Sequence, residues 1–424
     1  MTAAATQTHI HRTIDAVWRM ESARLIAGLA RMVRDVGLAE ELAQDALVAA
    51  LEHWPQDGVP DQPGAWLMTT AKRRAIDRLR QHQLHARKQE ELGYEIELQQ
   101  ELADSQPEAA ADDHIGDDLL RLVFTACHPV LSLEARVALT LRLLGGLATD
   151  EIARAFLVPE ATVAQRIVRA KRTLSEAKVP FEVPTRDELP ERVSAVLGVI
   201  YLIFNEGYSA TAGEDWMRPA LCEEALRLGR ILAELAPDEA EVHGLVALME
   251  IQASRARART DHAGDPVLLL AQDRARWDRM LIRRGLAALE RAERLGGARG
   301  PYALQAAIAA CHARAVVAAD TDWTRIAALY AELARVAPSP VVELNRAVAV
   351  SMASGPEAGL QIVEAIADAP SMRHYHLLPS VRGDLLEKLG RHEEARAEFE
   401  RAAAMTRNGR EQALLRRRAE ALAG

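Results

Sequence analysis

The sequence predicts an all-α protein of several helical domains, and three observations carry that prediction. Ala, Leu, Arg and Glu dominate, while aromatics supply only 4% of a chain that is 49% hydrophobic. Such a composition favours helices and offers little β-branched or aromatic strand material. Apolar residues recur at helical rather than alternating spacing, and proline- and glycine-rich stretches separate these runs. At 424 residues the chain exceeds what one hydrophobic core organises, so two or three domains are expected.

Residues 15–52 show helical periodicity through Leu25, Leu29, Met32 and Val33, then Leu38, Leu42, Ala46, Leu47 and Leu51. The segment EHWPQDGVPDQPG (52–64) holds three prolines and two glycines and is expected to be a loop. A helix then starts near Pro63 and runs through AWLMTTAKRRAIDRLRQ. Trp66, Ile76 and Leu79 are placed toward packing, with Lys72, Arg73, Arg74, Arg78 and Arg80 along an exposed face. From about 86 the apolar periodicity fades into a self-repelling acidic stretch, which predicts an extended, flexible linker.

Residues 117–177 predict three further helices, and VPFEVPTRDELP (179–190), with three prolines, marks the next boundary. Beyond it lie Ala-rich amphipathic helices with breaks expected at Gly207–Gly213, Pro237, Gly264–Pro266, Gly296–Pro301, Pro338, Gly355–Pro356 and Pro379. LAELAPDEAEVHGLVAL (232–248) resembles LARVAPSPVVELNRAVAV (333–350), each closing a helix at Ala-Pro and opening another. In 377–405, Gly383, Gly390, Ala395, Phe399 and Ala402 fall at the small and aromatic positions of a tetratricopeptide helix pair. A helical solenoid is therefore expected, with an Ala-rich helical bundle as its alternative.

Charge is distributed in blocks. The formal net charge is −9, which argues against indiscriminate nucleic-acid binding. Yet residues 66–90 carry seven Lys/Arg against two acids, 90–118 carry eleven acids and no Lys or Arg, and 160–178 carry five Lys/Arg against two acids. Two cationic surfaces joined by an acidic tether are the natural reading. The three cysteines, Cys127, Cys222 and Cys311, form no CxxC pair, which fits a reducing cytosol rather than a disulfide framework. No apolar leader or membrane span is evident, so a cytoplasmic protein without membrane attachment is expected.

Enzyme readings find little support. No phosphate-loop, dinucleotide, GxSxG or HExxH pattern occurs. His82 and His85 sit among Arg80, Arg87 and Lys88, and His374 and His376 have no nearby Cys or carboxylate cluster in sequence. No metal and no cofactor are expected.

The most informative stretch is TDEIARAFLVPEATVAQRIVRAKRTL (149–174). It reads as two helices joined at Leu157-Val158, with Thr149 as N-cap of the first and Pro159 at the first position of the second. Ala153, Leu157 and Val163 give the spacing that lets two helices cross tightly in a helix-turn-helix. On the second helix Val163, Ile167, Ala170 and Leu174 form one apolar stripe. Thr162, Gln165, Arg166, Arg169 and Arg172 form the opposite stripe, flanked by Lys171 and Lys178. These side-chain types suit base edges and phosphates. Earlier, LAEELAQDALVAALEHW offers an acidic surface of Glu40, Glu41, Gln44 and Asp45.

Taken in this order and spacing, AEELAQDALVAALEHW, AWLMTTAKRRAIDRLR, the acidic stretch and DEIARAFLVPEATVAQRIVRAKRTL resemble an extracytoplasmic-function (group IV) sigma factor of bacterial RNA polymerase. The resemblance implies a region 2 domain at 10–85, an acidic linker at 86–116, and a region 4 helix-turn-helix at 117–180. It further implies that Glu41, Gln44 and Asp45 bind the β′ clamp helices of core RNA polymerase, with the β flap as a second contact. Trp66, Lys72, Arg73, Arg74 and Arg78, with the 53–64 loop, would engage the −10 element of promoter DNA. Thr162, Gln165, Arg166, Arg169 and Arg172 would read the −35 element.

The remainder, 185–424, exceeds a minimal sigma factor. YLIFNEGYSAT (201–211) and the helical tail after it resemble the subfamily with a C-terminal tetratricopeptide-like extension. There the fused domain is expected to take over regulation, with a protein or peptide ligand as a further candidate partner. Asn205, Glu206 and Tyr208 are read either as a capped, buried helix end or as an interdomain or regulatory contact. The rival function is a helix-turn-helix regulator with a tetratricopeptide-type scaffold that does not join polymerase.

Overall fold

A computed structural model describes residues 3–89, 111–156 and 158–422. Among the described residues there are 18 helices and almost no sheet. The chain divides into two units, Met1–Val199 and Ile200–Gly424.

In the first unit α1 (Ala3–Val33), α2 (Val36–Asp57) and α3 (Pro63–Gln89) pack against one another. The break between α1 and α2 is made at Arg34, which takes a positive φ of 54°. Asp35 then caps α2 by accepting from the Leu38 N–H at 2.8 Å. Ile14, Val17, Leu25, Ile26 and Leu29 are buried from α1, and Leu42, Ala43, Ala46 and Trp54 from α2. A second group follows in α4 (Ala111–Ala126), α5 (Leu133–Leu143), α6 (Thr149–Phe156) and α7 (Glu160–Glu176). Ser132 caps α5, and the buried Cys127 thiol lies 3.3 Å from the Thr140 hydroxyl. Helix α8 (Leu189–Tyr208) begins here and is anchored by Arg192, which donates to the Phe124 carbonyl at 2.8 Å.

The second unit is a succession of helices packed chiefly on their sequence neighbours. They are α9 (Pro219–Leu235), α10 (Ala240–Ala253), α11 (Arg279–Arg294), α12 (Pro301–Arg314), α13 (Trp323–Val336), α14 (Pro340–Ser354), α15 (Pro356–Ile366), α16 (Leu377–Lys388), α17 (His392–Met405) and α18 (Gly409–Ala421). The two related Ala-Pro and Ala-Pro-Ser-Pro corners adopt nearly the same backbone. Ala236 has φ −130° and ψ 63°, Ala337 has φ −137° and ψ 68°, and each N–H bonds the carbonyl four residues back at 2.8 Å. Around α16 and α17, Ala395, Phe399 and Ala402 are fully buried. A Cβ on Gly383 would lie 2.8 Å from the Phe399 ring, so the glycine sets that close helix approach.

The unit's first and last parts also meet, which neighbour-only stacking does not provide. Strands β1 (Ala212–Gly213) and β2 (Arg407–Asn408) form a short parallel ladder. The Asn408 amide donates to the carbonyls of Ala210 and Asp215 at 3.0 and 2.8 Å. Asp265 takes Arg410 and Arg417 from α18 at 3.0 and 2.8 Å.

Several expected boundaries move. The 52–64 loop is helical through Asp57, because the buried Trp54 holds the last turns of α2 down until Gly58 ends it at φ 88°. Within the expected 86–116 linker, α3 runs to Gln89 and α4 starts at Ala111. Nothing in ARKQ breaks a helix. Residues 90–110 and Leu157 lie outside the described residues, as do the side chains of His82 and His85. Pro379 does not break a helix; it sits in the first turn of α16, where its missing N–H has no intrahelical partner to lose. Pro159 is the N-cap of α7 rather than its first residue.

Candidate nucleic-acid interface

The turn between α6 and α7 is built by local chemistry. Thr149 is the first residue of α6 and not its cap. Instead Glu151 reaches back to accept from the Ala148 N–H at 2.8 Å, half of a capping box. The Val158 N–H bonds the Ala153 carbonyl at 3.1 Å and closes the corner. Helix α7 then buries Val163, Ile167, Ala170 and Leu174, the whole of the expected stripe.

The opposite face of α7 is open. Gln165, Arg169 and Arg172 are exposed, while Thr162 and Arg166 are half-buried. Arg172 pairs with Glu176 on its own helix at 3.1 Å, a solvated pair worth little. Glu134 at the start of α5 is held below the usual carboxylate range, first by a hydrogen bond to its own backbone, then by Ser132, with Arg166 adding to this. Lys171 does not flank this surface as expected. It turns inward to Glu40.

On α3, Lys72, Arg73, Arg78 and Arg80 are exposed. Arg74 is half-buried and donates to the Asp45 carbonyl of α2, so it is engaged within the fold. The packing face is Leu67, Ala71 and Ala75, rather than the expected Trp66, Ile76 and Leu79, which are only half-buried. Trp66 sits edge-on to Trp54, ring centroids 5.4 Å apart.

On α2, Glu41 and Asp45 are exposed and Gln44 is half-buried. Glu40 departs from the expected acidic surface. It is only 2% exposed, accepts from Gln44 and from Arg142 Nε of α5 at 2.6 Å, and forms an ion pair with Lys171 of α7. Desolvating this carboxylate is tolerable because two cations meet it. Two outer pairs accompany it, Arg19–Glu151 at 2.8 Å and Arg31–Asp118 at 3.0 Å. The α2 acid face and the α7 basic helix are thus directly joined, an arrangement invisible in local patterning.

In the second unit Glu206 is buried and accepts from the Thr211 hydroxyl at 2.9 Å and from Arg218, stapling the loop after α8. Asn205 and Tyr208 are half-buried. The Tyr208 ring stacks on Phe204 and carries the Arg259 guanidinium 3.5 Å from its centroid. His376, without a carboxylate nearby in sequence, receives one from Glu411 at 2.9 Å. Among the described residues no three His, Cys, Asp or Glu gather as a metal site, and no helix is long and apolar enough to cross a membrane.

The helix-turn-helix with its basic outer face and the acidic and basic helices α2 and α3 fall on residues matched by two families of the sigma-70 type. Residues 18–85 match the sigma-70 region 2 family and 121–174 the sigma-70 region 4 family, while 192–293 match a family of unknown function, DUF6596. The ECF RNA polymerase sigma factor SigK of Mycobacterium ulcerans is 31% identical over 156 residues, covering 36% of this chain and 78% of SigK. The probable ECF RNA polymerase sigma factor SigI of Mycobacterium tuberculosis is 26% identical over 173 residues, 41% of this chain and 58% of SigI. An uncharacterized protein, R00370, of Rhizobium meliloti is 46% identical over 400 residues, 94% of this chain and 93% of that one. The chain belongs to the ECF RNA polymerase sigma factors and carries a C-terminal helical extension. It directs RNA polymerase to promoters, so its partners are core polymerase and promoter DNA. Sigma factor families are not enzymes.

Proposed function

We propose that α7 reads the −35 element through Thr162, Gln165, Arg166, Arg169 and Arg172, and that region 4 contacts the β flap. In the same reading Lys72, Arg73, Arg74, Arg78 and Trp66, with the loop after Asp57, engage the −10 element. Glu41, Gln44 and Asp45 bind the β′ clamp helices, and the fused extension regulates the factor, with a protein or peptide as its ligand. The observation that carries this reading is the two-faced α7, with four apolar residues buried and a Gln/Arg row facing solvent. The experiment is reconstitution with core polymerase and promoter fragments. Transcripts that depend on the chain support it; duplex binding by the free chain with no core association would instead favour the scaffold-type regulator.

The same reading requires a conformational step. Elements named for positions about 25 base pairs apart lie roughly 80 Å apart along B-DNA. Helix α2, 22 residues long, spans only about 33 Å, yet it touches α7 through Glu40 and Lys171. The described arrangement is therefore a closed form, and region 4 leaves α2 when polymerase and promoter are engaged.

A further inference from the structure

The segment joining α10 to α11 buries more positive charge than the one carboxylate near it, Asp320 beside Arg274, offsets. It is folded by short 3-10 turns at Ala256–Ala258, Leu269–Ala271 and Arg274–Arg276. Arg259 and Arg274 are 7% and 6% exposed, and Arg255 is half-buried. Arg259 donates to the Tyr208 carbonyl, and Arg255 to the Tyr208 hydroxyl at 2.6 Å and to Gln252. Arg274 donates to the carbonyls of His312 and Ala315 at 2.6 and 2.7 Å and to the Thr321 hydroxyl at 3.0 Å. Among the described residues the hydrogen bonds of the three guanidinium groups all go to neutral acceptors, and Asp320 is the carboxylate whose charge reaches Arg274.

The C-terminal carbonyls of α12 explain part of Arg274, since a cation there is favoured. They leave the rest unexplained. Arg255 and Arg274 both lie over the Trp277 ring, 5.8 and 5.0 Å from its centroid. Arg255 Nε, Arg274 Nε and Trp277 Nε1 are buried with no hydrogen-bond partner, as are Gln272 Oε1 and the Nδ1 of His312, whose ring lies edge-on to Trp323. Unmade hydrogen bonds on buried charged groups are costly. Burial pushes the His312 imidazole down to about 4, and Arg255 and Arg274 push it the same way. Most of the orphaned atoms are donors, and the missing charge is negative.

We propose that the Arg255–Arg274–Trp277 cluster is a binding site for a small oxyanion, a carboxylate- or phosphate-bearing molecule whose oxygens accept from these orphaned N–H groups. Guanidinium forks suit both chemistries, because each presents paired oxygens to paired donors. This gives the extension a chemical input independent of how the DNA-facing helices work.

The test uses the full chain, titrated with inorganic phosphate and separately with acetate, at an ionic strength held constant with sodium chloride. Melting temperature and the side-chain Nε–H signals of 15N-labelled arginine are followed. We expect a saturable rise in melting temperature and shifted Nε signals for Arg255 and Arg274 with at least one anion. Phosphate alone marks a phosphate ligand, and acetate alone a carboxylate. Arg255→Met should weaken binding at least ten-fold with unchanged circular dichroism, while Arg276→Met, at an exposed position, should bind as before. The proposal is overturned if neither anion moves the Nε signals of the unmodified chain, which needs no variant to fold. A folded Arg255→Met that binds as tightly as wild type would overturn it too.

Discussion

Glu40→Gln tests the closed form most sharply. The amide keeps the side-chain shape and an acceptor, but it removes the charge shared by Arg142 and Lys171 and sets an N–H against one of them. Removing one partner of a buried pair costs about 3–5 kcal/mol. Arg142 and Lys171 remain 22% and 21% exposed, so water recovers part of that, leaving about 2–3 kcal/mol. The loss falls on the contact of α2 with α5 and α7, and the nearby ties Arg19–Glu151 and Arg31–Asp118, which join α1 to α6 and to α4, have arginines 63% and 54% exposed. The more exposed of the two, Arg19–Glu151, contributes about 1 kcal/mol or less. The docking equilibrium should then shift roughly 30- to 150-fold toward the open form. Hydrogen exchange should accelerate in α7 and the first half of α2, and apparent affinity for core polymerase should rise as the competing closed state is depleted. Unchanged protection in both helices, or weaker core binding, would refute the reasoning.

Arg169→Ala should lower use of the cognate −35 sequence by about 1–3 kcal/mol in transcription assays; an equal loss on every −35 variant would mark a phosphate contact instead. Gly207→Ala should destabilise the extension by about 1–3 kcal/mol in urea unfolding, since its Cβ would fall 2.6 Å from the Cys222 backbone nitrogen, which cannot step aside. His312 is held neutral, its pKa of about 4 lying below the 6.5 of the free side chain. The unfolded chain therefore takes the proton first, and stability present above about pH 6.5 is lost as pH falls toward 4. From pH 7 to 5 that is about 2 kcal/mol, read as the difference in pH dependence between wild type and His312→Leu. Burial raises the Cys127 and Cys222 thiols to about 11 and 12, so both should resist alkylation at pH 8 until the chain unfolds, as mass spectrometry would show.

What the sequence shows of this fold is what local period encodes. The stripe Val163, Ile167, Ala170 and Leu174 repeats at helical spacing, so it is legible without any partner. The Ala-Pro corner at 236 is likewise written in neighbouring residues, and its counterpart at Ala337 shares its angles. Glu40 is different. It stands in an acidic run like its neighbours, and only distant partners, Arg142 102 residues away and Lys171, show it to be buried. The β1–β2 ladder has two residues per strand, too few to carry any alternation. Pro55 misleads because its place in the last turns of α2 depends on Trp54 being buried against α3, a tertiary fact. The arginine cluster is missed for the same reason: Tyr208, Arg255, Arg274 and His312 meet only after four segments fold together.

Run-off transcription with purified core polymerase, this chain and a library of genomic promoter fragments tests the central claim most directly. The account predicts that the chain co-elutes with core and yields transcripts from a subset of fragments sharing one −35/−10 pair. Arg166→Ala with Arg169→Ala should abolish −35 discrimination while leaving core association intact. A chain that neither co-elutes with core nor supports transcription from any fragment, yet footprints duplex DNA alone, would contradict it.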